Sequence, residues 1–300
     1  MKSTNGRPDA RPHRSIDEAV DVTNIADAIA HTRVPIFHGT RASLAEPILC
    51  GGFAPLPVTK QIEDVAAQYD VSMDDLMEDL KAYNRFAVVD ARPNTAFVTG
   101  DAVKAGSWAD RAPEATWEAL WAVYRIQNPE IGWDWNMSDE GHLWVLAQRV
   151  DDPPAVLEAR APLVALRNRN NGRTAADGIR EAIESGSTDA LSTELELFRA
   201  SPEWLVAPCD LTPISYQTVP MRVDHDLMLF MSGESKETFV ERLRAGCWGE
   251  PGASSGPGDR PWHPFEEVWA RLSSERQTAL EEIVGTPITS RISVEPDTVA

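Results

Sequence analysis

The chain is 300 residues long, with 28 Lys and Arg against 47 Asp and Glu, a formal charge of −19 at pH 7 and a pI near 4.7. That balance argues against tight, non-specific nucleic-acid binding, which needs a basic patch or a strongly basic domain. A hydrophobic content of 42% excludes a globally disordered chain.

Three widely spaced cysteines, Cys50, Cys209 and Cys247, fit a reduced compartment rather than a disulfide scaffold or a zinc site. Ten tryptophans predict a core or ligand pocket rich in large rings. Residues 1–15 are polar, carry Pro8 and Pro12, and read as a flexible tail without the apolar segment of a secretory signal. No run approaches the ~18 apolar residues of a membrane span. The expectation is therefore a cytoplasmic protein without membrane contact.

A helix is predicted from Ser15 through Ile29, with Ile16, Val20, Ile25 and Ile29 on one face. Arg33 to His38 reads as a buried strand ending at His38-Gly39. Ser43 and Glu46 then fit a capping box that opens a short helix, stopped by Gly51-Gly52 and leaving through Phe53-Ala54-Pro55. Residues 60–82 predict two acidic helices broken at Val71-Ser72, with Ser72 capping the second. Asp74, Asp75, Glu78 and Asp79 read as a solvated face, because a metal site needs converging oxygens.

Thr95 to Thr99 predicts a strand, and Asp101 the N-cap of a helix bearing Trp108. Helix continues over 113–125, and 128–141, with Trp133 and Trp135, reads as a loop. Leu143 to Val150 and Ala155 to Leu166 read as strands around the Asp151–Pro154 turn. After a turn at Asn168–Gly172 and a helix over 174–185, a Gly/Ser-containing loop leads toward Phe198. Ser201 to Val206 and Ile214 to Val223 are predicted strands. The last segment predicts a helix near 235–245, a linker at 249–261 and a helix near 264–284. The fold class is α+β.

Several chemistries lack their signatures. There is no Gly-x-Ser-x-Gly elbow, no Gly-x-Gly-x-x-Gly fingerprint and no P-loop, and His142 and His225 lack metal-ligand spacing. Three other segments stand out together. They are Phe37-His38-Gly39-Thr40-Arg41 followed by Gly52-Phe53, Thr95-Ala96-Phe97-Val98-Thr99 followed by Trp108, and Pro202-Glu203-Trp204-Leu205-Val206. Singly, each has a plainer reading: a structural histidine, a turn glycine, core aromatics, an edge-strand charge.

In this order and rough spacing they resemble the three motifs of the ADP-ribosyltransferase superfamily. The branch is the one with a His-Tyr-Glu triad, which includes the poly(ADP-ribose) polymerases and diphtheria-like toxins. The resemblance covers about residues 33–223. It implies an ADP-ribosyltransferase-like split β-sheet core over 16–223 with flanking helices, and a helical C-terminal extension over 224–300. It further implies NAD⁺ as substrate, transfer of ADP-ribose to an intracellular acceptor, and release of nicotinamide.

By the same resemblance, the Gly39 backbone would pair with the nicotinamide amide, and His38, assisted by Thr40, would bind a ribose hydroxyl. Phe97 and Trp108 would sandwich the nicotinamide ring, Arg41 would help hold the anionic dinucleotide, and Glu203 would stabilise the cation-like ribosyl group. Phe97 stands where the branch has Tyr. The hydroxyl residue that usually precedes the second aromatic is replaced by Ala105 or Gly106, with Ser107 nearest. Glu194-Leu195-Glu196 imitates the Glu-x-Glu of the arginine-modifying branch, although His38-Gly39-Thr40 fits the His-Tyr-Glu branch better.

The related RNA 2′-phosphotransferases need basic residues that the acidic balance argues against. The Ala/Arg/Asp-rich, Lys-poor composition points by analogy to a bacterial or phage toxin with a protein acceptor, read by a loop at 186–202, and a cognate antitoxin or immunity protein. NAD glycohydrolysis on the same fold is a close variant. A catalytically inactive binding fold, with the C-terminal helices docking a partner, is the alternative.

Overall fold

A computed structural model describes residues 22–54, 57–82, 95–129, 139–200, 203–233 and 262–292. The expected N-terminal tail, the Trp133/Trp135 segment, Pro55, Pro202, the helix near 235–245 and the linker lie outside the described residues. The described chain is α+β, with helices around small antiparallel sheets.

In the first sheet, β1 (Arg33–Arg41) pairs with β3 (Pro154–Pro162), which pairs on its other side with the edge strand β6 (Thr212–Thr218). The β1–β3 register runs without a slip from Arg33↔Pro162 to Arg41↔Pro154. β1 thus outlasts the strand expected from sequence, because Thr40 and Arg41 still face partners on β3. The second sheet orders β2 (Ala96–Val98), β5 (Trp204–Val206) and β4 (Arg167–Asn168). Among the described residues a single bridge, Phe37 to Thr99, joins the two sheets, with amide-to-carbonyl distances of 2.8 and 2.9 Å. β7 (Arg222–Val223) and β8 (His263–Pro264) form a third, minimal pair.

The helices in chain order are α1 (Val22–Ala30), α2 (Ala42–Gly51), α3 (Val58–Tyr69), α4 (Met73–Ala82), α5 (Ala102–Ala109), α6 (Glu114–Gln127) and α7 (Asp139–Ala147). They continue with α8 (Ala175–Glu184), α9 (Thr188–Ala200), α10 (His225–Ser232), α11 (Phe265–Arg271), α12 (Ser274–Val284) and α13 (Thr289–Ile292). One cap stands as expected, at Asp101, and a second, on α8, was not singled out in the sequence. The Asp101 carboxylate accepts from the amides of Val103 and Lys104 at the start of α5, and Thr174 and Asp177 close a reciprocal capping box on α8.

Two apolar cores result. One lies between the sheets and α8, and includes Ile36, Val98, Leu157, Leu166, Ile179 and Val206. The other is helical and draws Leu76, Trp117 and Leu143 together with Leu227, Phe265 and Leu280. Each such side chain contributes about 1.5–3 kcal/mol by leaving water. The C-terminal segment shares this core with α3, α4, α6 and α7, so residue 223 marks no break in packing.

Several local expectations are corrected. Leu143 to Val150 is no strand: α7 covers Asp139–Ala147, and Leu143, Val145, Leu146 and Ala147 are all buried. Five consecutive apolar residues, Leu143 to Ala147, show no polar stripe, so the run imitates a strand. Gly141 sits in that helix because a Cβ there would come within 2.6 Å of the rings of Trp121 and Tyr124. The Ser43/Glu46 capping box does not form. Arg41 is the N-cap of α2, and Ser43 instead places its amide and hydroxyl on the Asp152 carboxylate at 2.9 and 2.7 Å. Ile214 to Val223 divides into β6 and β7 in different sheets, the loop expected at 186–202 holds α9, and the helix expected over 264–284 breaks at Leu272-Ser273.

Candidate functional site

β1 delivers the first group of residues. Phe37 exchanges its amide and carbonyl with Thr99, on the edge away from β3. The two-residue period of a strand turns the Gly39 amide and carbonyl along that same edge. Gly39 itself lacks a side chain for a packing reason: a Cβ would stand 2.3 Å from the Ala105 carbonyl oxygen and 2.7 Å from the Ala109 nitrogen. β1 and α5 therefore touch backbone to backbone at this point.

His38 is half-buried, with its Nδ1 2.8 Å from the Phe97 carbonyl oxygen and its ring edge-on to Phe53, centroids 5.3 Å apart. A carbonyl only accepts, so Nδ1 carries the hydrogen and Nε2 of the neutral ring is left as an acceptor. Burial pushes the His38 pKa below its ordinary value, against the smaller opposing effect of the Phe97 carbonyl. At pH 7 the ring is neutral.

Arg41 is fully buried. Its guanidinium donates to the carbonyls of Ala112, Asp152 and Asp110 at 3.0, 2.8 and 2.6 Å. It does not line the cavity described below, so the structure places it in the framework and not where a dinucleotide would meet it. Arg149 joins it on the Asp110 and Ala112 carbonyls. Together they pin the residues that flank Arg111. Burial lowers the Arg41 pKa to about 10, and raises that of the neighbouring Asp110 to about 6 in spite of Arg222 beside it.

The second sheet delivers the rest. Phe97 is the middle residue of β2, opposite Leu205, and Trp108 rides on α5. Glu203 directly precedes β5. Asn168 pairs with Trp204, so one step further along the two chains Arg169 and Glu203 come opposite each other. The Arg169 amide donates to the Glu203 carbonyl at 3.3 Å, and the two side chains form an ion pair. The Arg169 guanidinium also stands 6.0 Å from the Phe97 ring centroid.

A cavity of about 480 Å³ opens between these elements. His38, Gly39, Thr40, Phe97, Trp108 and Glu203 all line it, along with Arg111, Trp117, Glu118 and Arg169. The size is ordinary for a small-molecule site. Six of the seven residues expected from sequence are brought together, and Arg41 is not. Ser107 does not supply the missing hydroxyl: its Oγ donates to the Lys104 carbonyl at 2.7 Å. Glu194 and Glu196 sit on α9 outside the cavity lining, with Glu194 paired to Arg173 at 3.1 Å.

Arg169 and Arg111 are among the cavity residues that sequence reasoning missed, together with Gln61, Glu114, Trp117 and Glu118. Arg169 lay in what read only as a turn, and no local signal connects it to Glu203, 34 positions away. The arrangement presents a histidine acceptor, an open strand edge, two aromatic rings and a carboxylate in one place. Chemically, it suits a ring-bearing polar ligand on which positive charge resides or develops near Glu203.

Among the described residues no group of His, Cys, Asp or Glu is arranged to hold a metal ion, and no helix is long and apolar enough to cross a membrane. Comparisons with protein-family models, with curated proteins and with solved structures return no match to this chain.

Proposed function

We propose that the chain carries an ADP-ribosyltransferase-like core and transfers ADP-ribose from NAD⁺ to an acceptor, releasing nicotinamide. The observation that supports this is convergence. Residues from three segments separated in sequence, 38–40, 97–108 and 203, line one cavity. A common substrate requires that proximity.

In this reading the C1′–nitrogen bond breaks, and nicotinamide leaves neutral with the bonding pair. The ribosyl carbon gains cationic character, which the Glu203 carboxylate stabilises while accepting from a ribose hydroxyl. The Gly39 edge meets the carboxamide, and Phe97 and Trp108 hold the ring. His38, neutral and protonated on Nδ1, accepts a hydroxyl hydrogen at Nε2. Bond formation between C1′ and an acceptor nucleophile completes the transfer; with water as nucleophile the same site hydrolyses NAD⁺.

One observation favours a second reading, a binding fold without turnover: the carboxylate needed for the chemistry is already ion-paired with Arg169. Nicotinamide release from NAD⁺ by the full chain separates the two. Glu203→Ala is expected to lower the rate ~10²- to 10³-fold, the size of one lost electrostatic contact to the transition state, while leaving the thermal midpoint unchanged. Background-level release from wild type and variant alike overturns the enzyme reading.

A further inference from the structure

Resting on that reading, we infer that Arg169 is an internal competitor for the ring-binding half of the cavity, and that the site selects a ligand whose ring is positively charged. The guanidinium is a planar cation. It lies 6.0 Å from the Phe97 ring centroid and is ion-paired with Glu203, and all three residues line the same cavity. These are the two groups that the proposed function reserves for the nicotinamide ring and its ribose. A ligand seated against both has to move the Arg169 side chain.

The geometry makes that movement cheap. The Arg169 side chain is 38% exposed against 23% for Glu203, so it leaves toward solvent without burying its charge. Its backbone is held separately, by the β4–β5 register and by the Arg169 amide on the Glu203 carbonyl at 3.3 Å. The side chain swings and the turn stays.

Charge then decides which ring gains most from replacing it. A neutral ring would strip Glu203 of its cationic neighbour and return nothing, whereas a cationic ring restores the pairing across the same aromatic face. Arg169 thereby acts as a specificity-determining residue. It sets a threshold that the oxidised nicotinamide dinucleotide meets, and that the reduced form, whose ring has taken up a hydride at C4 and lost its aromatic positive charge, does not.

Titration calorimetry with NAD⁺ and NADH on wild type, Arg169→Ala, Arg169→Gln and Glu203→Gln tests this, with thermal midpoints as the folding control. Wild type is expected to prefer NAD⁺. Removing the guanidinium by either Arg169 substitution should tighten NAD⁺ ~3- to 10-fold, the range of a part-exposed ion pair plus a cation–π contact, and lower the KM for nicotinamide release in step. Glu203→Gln should reduce the NAD⁺-over-NADH preference.

Weaker NAD⁺ binding by both Arg169 variants makes the residue a phosphate clamp and overturns the inference, as does unchanged binding or an equal affinity of wild type for the two dinucleotides. Those results leave the proposed function standing. Failure of every protein to bind either dinucleotide overturns the NAD⁺ reading itself, and the inference with it.

Discussion

A methyl group at position 39 would sit 2.3 Å from the Ala105 carbonyl oxygen, against backbone that cannot rotate away. Gly39→Ala is therefore expected to cost about 3 kcal/mol, at the upper end of overpacking effects, read as a lower urea midpoint. Gly51→Ala, where a Cβ meets nothing within 4 Å, should stay within about 0.5 kcal/mol. At this scale the site was legible wherever a residue's neighbours in sequence are also its neighbours in space. His38, Gly39 and Thr40 follow one another along a strand, and period two alone decides what each presents. Arg41, the next residue, was misread because its partners come from 69 to 111 positions away, at Asp110, Ala112 and Asp152. A buried arginine with carbonyl partners and a surface arginine awaiting a phosphate look identical in a string of letters.

Helix α5 carries Trp108 and is held at its start by one side chain. The Asp101 carboxylate takes the Val103 amide at 2.8 Å. Asp101→Ala should cost about 1 kcal/mol in denaturant stability, and Asp101→Asn should recover most of it; equal losses in both would show that the cap is not the cause. Elements with their own local chemistry, such as this helix, the helix at α8 and the break at Val71-Ser72, could be read in advance. Elements defined by their surroundings could not. The second half of α7, Leu143 to Ala147, is an unbroken apolar run because it passes between α6 and the C-terminal helices, and that removes the periodicity by which a helix is told from a strand. β4 is only two residues long, yet it is what lines up Arg169 with Glu203. No pattern search finds a strand of that length.

Across the whole molecule, a buried aspartate and a half-buried histidine pull the acid response in opposite directions. Burial raises Asp110 from about 3.8 to about 6, so between these values the folded protein holds a proton that the unfolded chain releases, and stability rises as pH falls. Burial lowers His142 from 6.5 to about 4; there the unfolded chain takes the proton, and stability falls as pH falls. Urea midpoints between pH 7 and pH 4 should show Asp110→Asn losing more stability on acidification than wild type, and His142→Gln losing less. Identical slopes in all three proteins would mean that neither group is perturbed. Comparing variants removes the background change as the −19 surface charge is titrated.

The Phe37–Thr99 bridge also sets the mechanics of the cleft. His38, Gly39 and Thr40 belong to one sheet, while Phe97, Arg169 and Glu203 belong to the other or to its flanks. Three hydrogen bonds stitch this seam among the described residues: the two between Phe37 and Thr99, and the one from His38 Nδ1 to the Phe97 carbonyl. His38 is thus a fastener as well as a wall of the cavity, and replacing it slackens the joint at the moment it removes an acceptor. A ligand that touches His38 on one side and Glu203 on the other is a strut across the seam, so occupancy and sheet-to-sheet stiffness rise and fall together.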